Sequence, residues 1–310
     1  MPIFTGAGRA RYFPALLSRY HGCVLNDYLL SIFLGIVEGL TEFLPVSSTA
    51  HLRISEALLN VDLGDGYWKM FSIVIQLGAI LCLPIYFWHR IMSFLATWPR
   101  GLRGDKTAIT HPLGLTLVAF VCTAVPSFLL TKVIGKHLES LVLMASALII
   151  GGVLMWIVDA IFGQNKGGGF EAAAADEIER MGLPQAIWIG LCQTLSAVFP
   201  GTSRSMITIA AGQVTGLSRT AALEFSFLLS IPTMIAATGY DLLKALKGPD
   251  RVHIDSHGWV LLAIGFVISF VVAYGVVAWF MQWVRNRGFV PFAIYRILVG
   301  AAVLIWALGK

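Results

Sequence analysis

The amino-acid sequence predicts an all-α integral membrane protein with six transmembrane helices and two further helical segments that break at membrane depth. Three observations carry this. Apolar residues make up 57 % of the 310-residue chain and charged residues only 13 %, about half the charge content of a soluble globular protein. The apolar residues fall into blocks long enough to cross a hydrocarbon core of about 30 Å at about 1.5 Å per residue. Two blocks are interrupted by acids, prolines and hydroxyls, which a membrane tolerates only where they face protein or a water-filled cavity. The shortage of charge excludes an ordinary cytosolic enzyme and a disordered chain. A nucleic-acid partner is excluded too, because the net charge of +5 is spread over short loops and forms no basic stripe with interleaved aromatics.

Along the chain, residues 1–26 carry Arg9, Arg11 and Arg19. They lack the apolar core of about 7–15 residues found in a cleavable signal peptide, so they read as a basic tail. Residues 27–310 read as one polytopic membrane domain in two halves, about 27–160 and 184–310, joined by a linker over 163–184. The six expected spans are residues 70–88, 112–130, 141–158, 221–243, 259–283 and 289–308. Tyr67, Trp68, Tyr86, Trp88, Trp259 and Trp283 near their ends suit interfacial anchors. The broken blocks are residues 28–44 and 186–216, read as re-entrant helices. The stretch 89–111, with Arg90, Arg100, Arg103 and Lys106 against Asp105, is the most basic loop and the candidate for the cytoplasmic side. Arg285 makes the 285–288 turn basic as well, while Lys244, Lys247 and Arg251 on the opposite side keep the bias modest. The Gly- and Ala-rich linker, with Glu171, Asp176, Glu177 and Glu179, is expected to be a mobile surface loop. Cys23, Cys82, Cys122 and Cys192 are widely spaced and suggest neither a zinc site nor a disulfide framework.

The two broken blocks repeat each other. GIVEGLTEFLPVSSTAH (35–51) lies over GLCQTLSAVFPGTSRSM (190–206) at an offset of 155, matching Gly35 with Gly190, Pro45 with Pro200 and Ser48 with Ser203. Farther on, Phe71-Ser72 aligns with Phe225-Ser226 at an offset of 154. Each half is then one broken segment followed by three spans. Three is odd, so the second half lies upside down relative to the first, an inverted-topology repeat whose broken segments meet near mid-membrane. The halves differ in chemistry: the first supplies acids and a histidine, the second an arginine.

Glu38 and Glu42 are four apart, hence on one face of a helix. Two carboxylates inside an apolar block repel and are costly to desolvate, so a cation, a shared proton or an arginine must compensate. A helix end in the headgroup zone would solvate them instead. Ser47, Ser48, Thr49 and His51 follow, offering hydroxyl donors, a nucleophile and a proton carrier, and also N-caps for a new helix. In the second block Gly201 lets the backbone approach a ligand. Thr202, Ser203 and Ser205 surround Arg204, whose planar fork matches phosphate oxygens. A purely structural pair of Arg204 with Glu42 or Glu38 is the alternative. Acids that hold a divalent metal or orient water, beside an arginine and hydroxyls that hold phosphate, fit phosphoryl transfer on a membrane-resident substrate. Arg296 and Glu224 could pair with each other or with this site, and Gln76 could reach it. Asp159 and Asp241, near span ends, read as solvated.

EGLTEFLPVSSTAH (38–51) and PGTSRS (200–205) closely resemble the two signature motifs of the undecaprenyl-diphosphatase family, the bacitracin-resistance type of integral membrane phosphatase. EFSFLLSIP (224–232) and PFAIYRILV (291–299) are similar to that family too, and the resemblance covers about residues 28–308. It implies six full spans and two re-entrant helix pairs as inverted repeats. It implies hydrolysis of undecaprenyl diphosphate to the monophosphate, recycling the lipid carrier of cell-wall glycans. The expected setting is the bacterial cytoplasmic (inner) membrane, with the active site facing the periplasm, a divalent cation (Mg²⁺ or Ca²⁺) as cofactor, and room for a homodimer. By position, Glu38 and Glu42 match essential acids that would hold the metal, Ser48 a nucleophile or phosphate ligand, His51 an acid/base and Arg204 the phosphate-binding arginine. Ser47, Thr49, Gly201, Thr202 and Ser203 fall in the phosphate-binding loops. Ala50 stands where many relatives have Gly, a departure of one methyl group. A secondary transporter or flippase for a phosphorylated lipid, built on the same repeat, is the rival expectation. A scaffold whose buried charges only set helix register is a second.

Overall fold

The computed structural model describes residues 24–59, 61, 66–101, 104–130, 140–163, 177–247, 252 and 254–309. Most of the basic tail, most of the 163–184 linker and Cys23 lie outside these residues. Among the described residues all regular structure is helical: α1 (Val24–Thr41), α2 (Ser48–Leu58), α3 (Gly66–Tyr86), α4 (Trp88–Thr97), α5 (Pro112–Leu129), α6 (Leu141–Phe162), α7 (Leu183–Val198), α8 (Arg204–Val214), α9 (Arg219–Lys247), α10 (Ser256–Asn286) and α11 (Val290–Leu308). Six of them, α3, α5, α6, α9, α10 and α11, are long and apolar enough to cross a membrane. They coincide with the six expected spans, and the protein is a multi-pass membrane protein.

Local chemistry sets the helix ends. Ser140 and Asp255 accept backbone N–H groups at the starts of α6 and α10. Pro112 occupies the first turn of α5, where a missing N–H costs nothing. The basic stretch 89–111 is not simply a loop. Its first part is α4, which buries Phe94 and brings Arg90 within 2.6 Å of Glu224 on α9. The end of the linker is not a free surface loop either. Ile178 and Met181 are buried, and Glu177 accepts the backbone N–H of Ser218.

The two halves exchange partners reciprocally. The broken helix of the first half, α1, packs on α10, the second span of the other half; the broken helix of the second half, α7, packs on α5, the second span of the first. The aligned glycines mark both contacts. A Cβ on Gly35 would sit 2.9 Å from the carbonyl oxygen of Gly265, and one on Gly190 would sit 2.8 Å from Cα of Ala119. Ser72 and Ser226, aligned in sequence, each bond to the short helix of their own half, Ser72 to Glu56 at 2.9 Å and Ser226 to Thr208 at 2.6 Å. At the breaks the register moves by one. Among the described residues the N-caps with positive φ are Ser47 (φ 73°) and Ser203 (φ 71°), an offset of 156, so one more residue separates glycine from cap in the second half. Ser48 is thus the spatial counterpart of Arg204 rather than of Ser203.

The first break is pinned from below. Phe43 and Val46 are buried in the main apolar core, and Phe43 meets Phe227 of α9 edge-on at 5.5 Å. Burial of a full aromatic side chain contributes about 1.5–3 kcal/mol, so the acid at position 42 is held inside by its apolar neighbour.

Candidate active site

Both breaks end in a serine whose backbone has left the usual regions, and each serine caps the helix that follows. Ser47 Oγ accepts from Ala50 N at 3.5 Å, and Ser203 Oγ accepts from Met206 N at 3.4 Å. Two helix N-termini, α2 and α8, therefore open at the breaks, each able to favour an anion. The first residues of these helices, Ser48 and Arg204, both reach the same carboxylate. Ser48 Oγ donates to Glu42 Oε2, and Arg204 Nη2 donates to Glu42 Oε1 at 3.2 Å. Ser205 Oγ donates to the Leu44 carbonyl at 3.0 Å and lies 3.1 Å from Ser203 Oγ, so the two breaks are also tied through hydroxyls.

Glu38 lies one turn before Glu42 on α1 and is 1 % exposed. Its Oε2 has no hydrogen-bond partner, and neither has Nη1 of Arg204. Unpartnered polar atoms of opposite charge in a buried pocket are costly unless a ligand completes them. With Glu38 and Glu42 ionised, one arginine leaves an excess of one negative charge. Among the described residues no group of three His, Cys, Asp or Glu side chains is placed to hold a metal ion by itself. Glu38 and Glu42 are the carboxylates that would hold a divalent cation here, Mg²⁺ or Ca²⁺.

Arg296 of α11 is fully buried and has no carboxylate partner in these bonds. Its guanidinium donates to four backbone carbonyls: Pro45 at 3.0 Å, Ala147 at 3.2 Å, Gly201 at 3.1 Å and Thr202 at 3.0 Å. It thus grips both breaks at once. Glu224, which the sequence allowed as its partner, pairs with Arg90 instead. Gln76 accepts from Thr238 of α9 at 3.4 Å. Asp159 is not solvated: it is 1 % exposed and accepts from Arg219, Gln213 and the backbone N–H of Phe289. Asp241 is exposed.

Of the residues singled out from the sequence, Glu38, Glu42, Ser48, Ser203 and Arg204 converge. Gly201, at φ 92°, turns the second break beneath them, and its carbonyl is one of those held by Arg296. Thr202 donates its hydroxyl to Phe199 O, and Thr49 is exposed. His51 has no bond to Ser48 or Glu42; its ring nitrogens meet the Ser47 carbonyl and the Tyr295 hydroxyl, each at 2.8 Å. Sequence reasoning missed three features: the grip of Arg296 on backbone, the contact of Tyr295 with His51, and the buried Glu56, bonded to Arg53 at 3.0 Å and Ser72 at 2.9 Å. An arginine inside an apolar block was the available signal for the first. Nothing in local spacing points to Tyr295, which is 244 residues from His51.

Residues 31–302 match the family described as bacitracin resistance protein BacA. A protein of Koribacter versatilis (strain Ellin345) named undecaprenyl-diphosphatase is 68 % identical over 293 residues, covering 92 % of this chain and all of the relative. Proteins of the same name from Caldanaerobacter subterraneus subsp. tengcongensis and Rhizobium leguminosarum bv. trifolii are each 40 % identical, covering 90 % of this chain and 96 % of the relative.

Proposed function

The chain belongs to the bacitracin resistance protein BacA family, and from that premise we infer that it is an undecaprenyl-diphosphate phosphatase. It removes one phosphate from undecaprenyl diphosphate, returns the monophosphate carrier to cell-wall synthesis and thereby supports resistance to bacitracin. The observation that carries the reading is Glu42, which holds the Ser48 hydroxyl with one oxygen and the Arg204 guanidinium with the other.

These bonds support the following chemistry. Arg204 places a fixed, forked cation beside Ser48, and the N-termini of α2 and α8 add backbone N–H dipoles, so the terminal phosphate settles against Ser48. Glu42 accepts the Ser48 proton as Ser48 Oγ attacks phosphorus. The bond to the bridging oxygen breaks and undecaprenyl phosphate leaves with that oxygen. Water then attacks the phosphoserine, its oxygen leaves in inorganic phosphate, and Glu42 returns its proton to Ser48 Oγ, restoring both residues. Ser203 and Gly201, with Ser47 and Thr202 at the breaks and Thr49 in the first turn of α2, are the remaining groups we assign to the phosphate. Glu38 and Glu42 are suited to hold a divalent cation, Mg²⁺ or Ca²⁺, which when bound neutralises charge on the diphosphate. The reciprocal packing and the matching serine caps support an inverted relation of the halves, with two re-entrant helix pairs. We further propose residence in the bacterial inner membrane, a site open to the periplasm and a homodimeric assembly.

The test is phosphate release from C55 diphosphate by detergent-purified protein, with and without chelator. Release that chelator abolishes and Mg²⁺ or Ca²⁺ restores is expected. Binding or vectorial transfer of the lipid with no release would replace the reading with a transporter or flippase.

A further inference from the structure

Tyr295 and Arg296 are neighbours on α11 but serve different partners. Arg296 turns inward to backbone carbonyls, whereas the Tyr295 hydroxyl meets His51 Nε2 at 2.8 Å. The two rings lie nearly parallel, 9° apart in plane with centroids 5.6 Å apart. The opposite nitrogen of His51, Nδ1, lies 2.8 Å from the Ser47 carbonyl oxygen. A carbonyl only accepts, so Nδ1 carries the proton. In the neutral ring Nε2 is then a lone pair, and the Tyr295 O–H donates to it. One tautomer and one ring orientation are thereby selected.

The consequence reaches the reacting group. Ser47, whose carbonyl is held, sits at φ 73° and ψ 95°, a conformation that residues with side chains seldom adopt. Its peptide leads into Ser48, which is aimed at Glu42. The second break provides an internal comparison. Ser203 has nearly the same φ, and its helix forms with Ile207 at the position equivalent to His51; there the Ser203 carbonyl accepts only the backbone N–H of Ile207, at 3.1 Å. The histidine is therefore not needed to make such a cap. The His51–Tyr295 link is made at the break that carries Ser48 and Glu42, with Tyr295 supplied by the other half.

We propose that Tyr295 is a positioning residue for the phosphatase reaction: through His51 Nε2 it locks the Ser47 carbonyl and so aims Ser48 at Glu42. This rests on the phosphatase reading above. Tyr295→Phe keeps the ring and removes only the hydroxyl. It is expected to lower kcat for phosphate release from C55 diphosphate by about tenfold, the scale on which outer-shell partners act, with KM and melting temperature unchanged. His51→Gln is expected to lower kcat at least as far. The double variant should be no slower than His51→Gln alone, because the two residues act as one unit.

Wild-type kcat in Tyr295→Phe overturns the proposal. So do kcat losses that multiply in the double variant, or a kcat loss accompanied by a drop in melting temperature and a rise in KM. Wild-type protein assayed in parallel separates the two levels: no phosphate release from it refutes the phosphatase reading, whereas normal release with an indifferent Tyr295→Phe refutes this inference alone.

Discussion

Arg204 and Glu42, 162 residues apart in sequence, form a 3.2 Å ion pair between the two breaks, with side chains 13 % and 5 % exposed. The pair joins the half that supplies acid to the half that supplies base. Removing one partner of such a buried pair leaves an uncompensated charge and costs about 3–5 kcal/mol of stability. Arg204→Lys keeps the charge and loses the fork. It is expected to leave the fold intact and to slow phosphate release about a hundredfold, the scale of losing one oriented donor at a developing charge. Steady-state kinetics alongside a melting curve checks this.

Gly201→Ala is expected to destabilise the second break. The position has φ 92°, and an added Cβ would lie 2.6 Å from the carbonyl oxygen and 2.9 Å from Cα of Met144, both backbone atoms that cannot swing aside. Strain of this kind costs about 1–3 kcal/mol, and movement of the 201–202 carbonyls would loosen the grip of Arg296. Gly216 is the control: its φ is 91°, but nothing lies within 4 Å of an added Cβ. Gly216→Ala should lower the melting temperature less and leave phosphate release unchanged.

Asp159→Ala tests stability away from the pocket. Arg219 donates to Asp159 at 2.7 and 3.2 Å, with Gln213 and Phe289 N completing the carboxylate. Truncation strands Arg219 and two N–H donors, a loss of about 3–5 kcal/mol. The expected outcome is a large drop in melting temperature, with kcat per folded molecule near wild type. Size-exclusion recovery and kinetics on the recovered fraction separate the two effects.

His111 gives a pH dependence at the start of α5. Its Nδ1 accepts the Leu113 N–H at 3.2 Å and its Nε2 lies 3.2 Å from the Thr97 hydroxyl, which suits a neutral ring. Burial, then the nearby Lys106 charge, holds its pKa below the ordinary histidine value. Protonation therefore favours the unfolded chain. Stability is complete above the unfolded value of about 6.5 and falls as pH drops through it toward the lower folded value. Melting temperature measured from pH 8 to pH 5 should decline at the acid end. His111→Asn, which can still cap α5, should flatten that decline.

Much of the candidate site is legible in the sequence. Glu38, Glu42, Ser48 and Arg204 stand out because charge and hydroxyls interrupt apolar runs, and hydrocarbon tolerates such interruptions only in a protected interior. The six spans were legible for the same reason, since length and hydropathy answer directly to bilayer thickness. The helix α4 was not, because its 89–97 portion reads as a basic loop until Glu224 arrives from α9 to neutralise Arg90. The one-residue shift that sets Ser48 opposite Arg204 was hidden as well, since identical Pro and Ser letters favoured the simpler register.

By itself, the sequence determined that this chain lives in a membrane, that its two broken segments share a motif, and which residues carry charge into apolar runs. Only the tertiary structure decided which partners those charges meet: Asp159 with Arg219, Arg296 with four carbonyls, His51 with Tyr295. Hydrophobic burial depends on composition and period, which are local along the chain. A hydrogen bond depends on two atoms arriving within about 3 Å, and when the partners are 60 to 251 positions apart in sequence only the packed helices determine that distance.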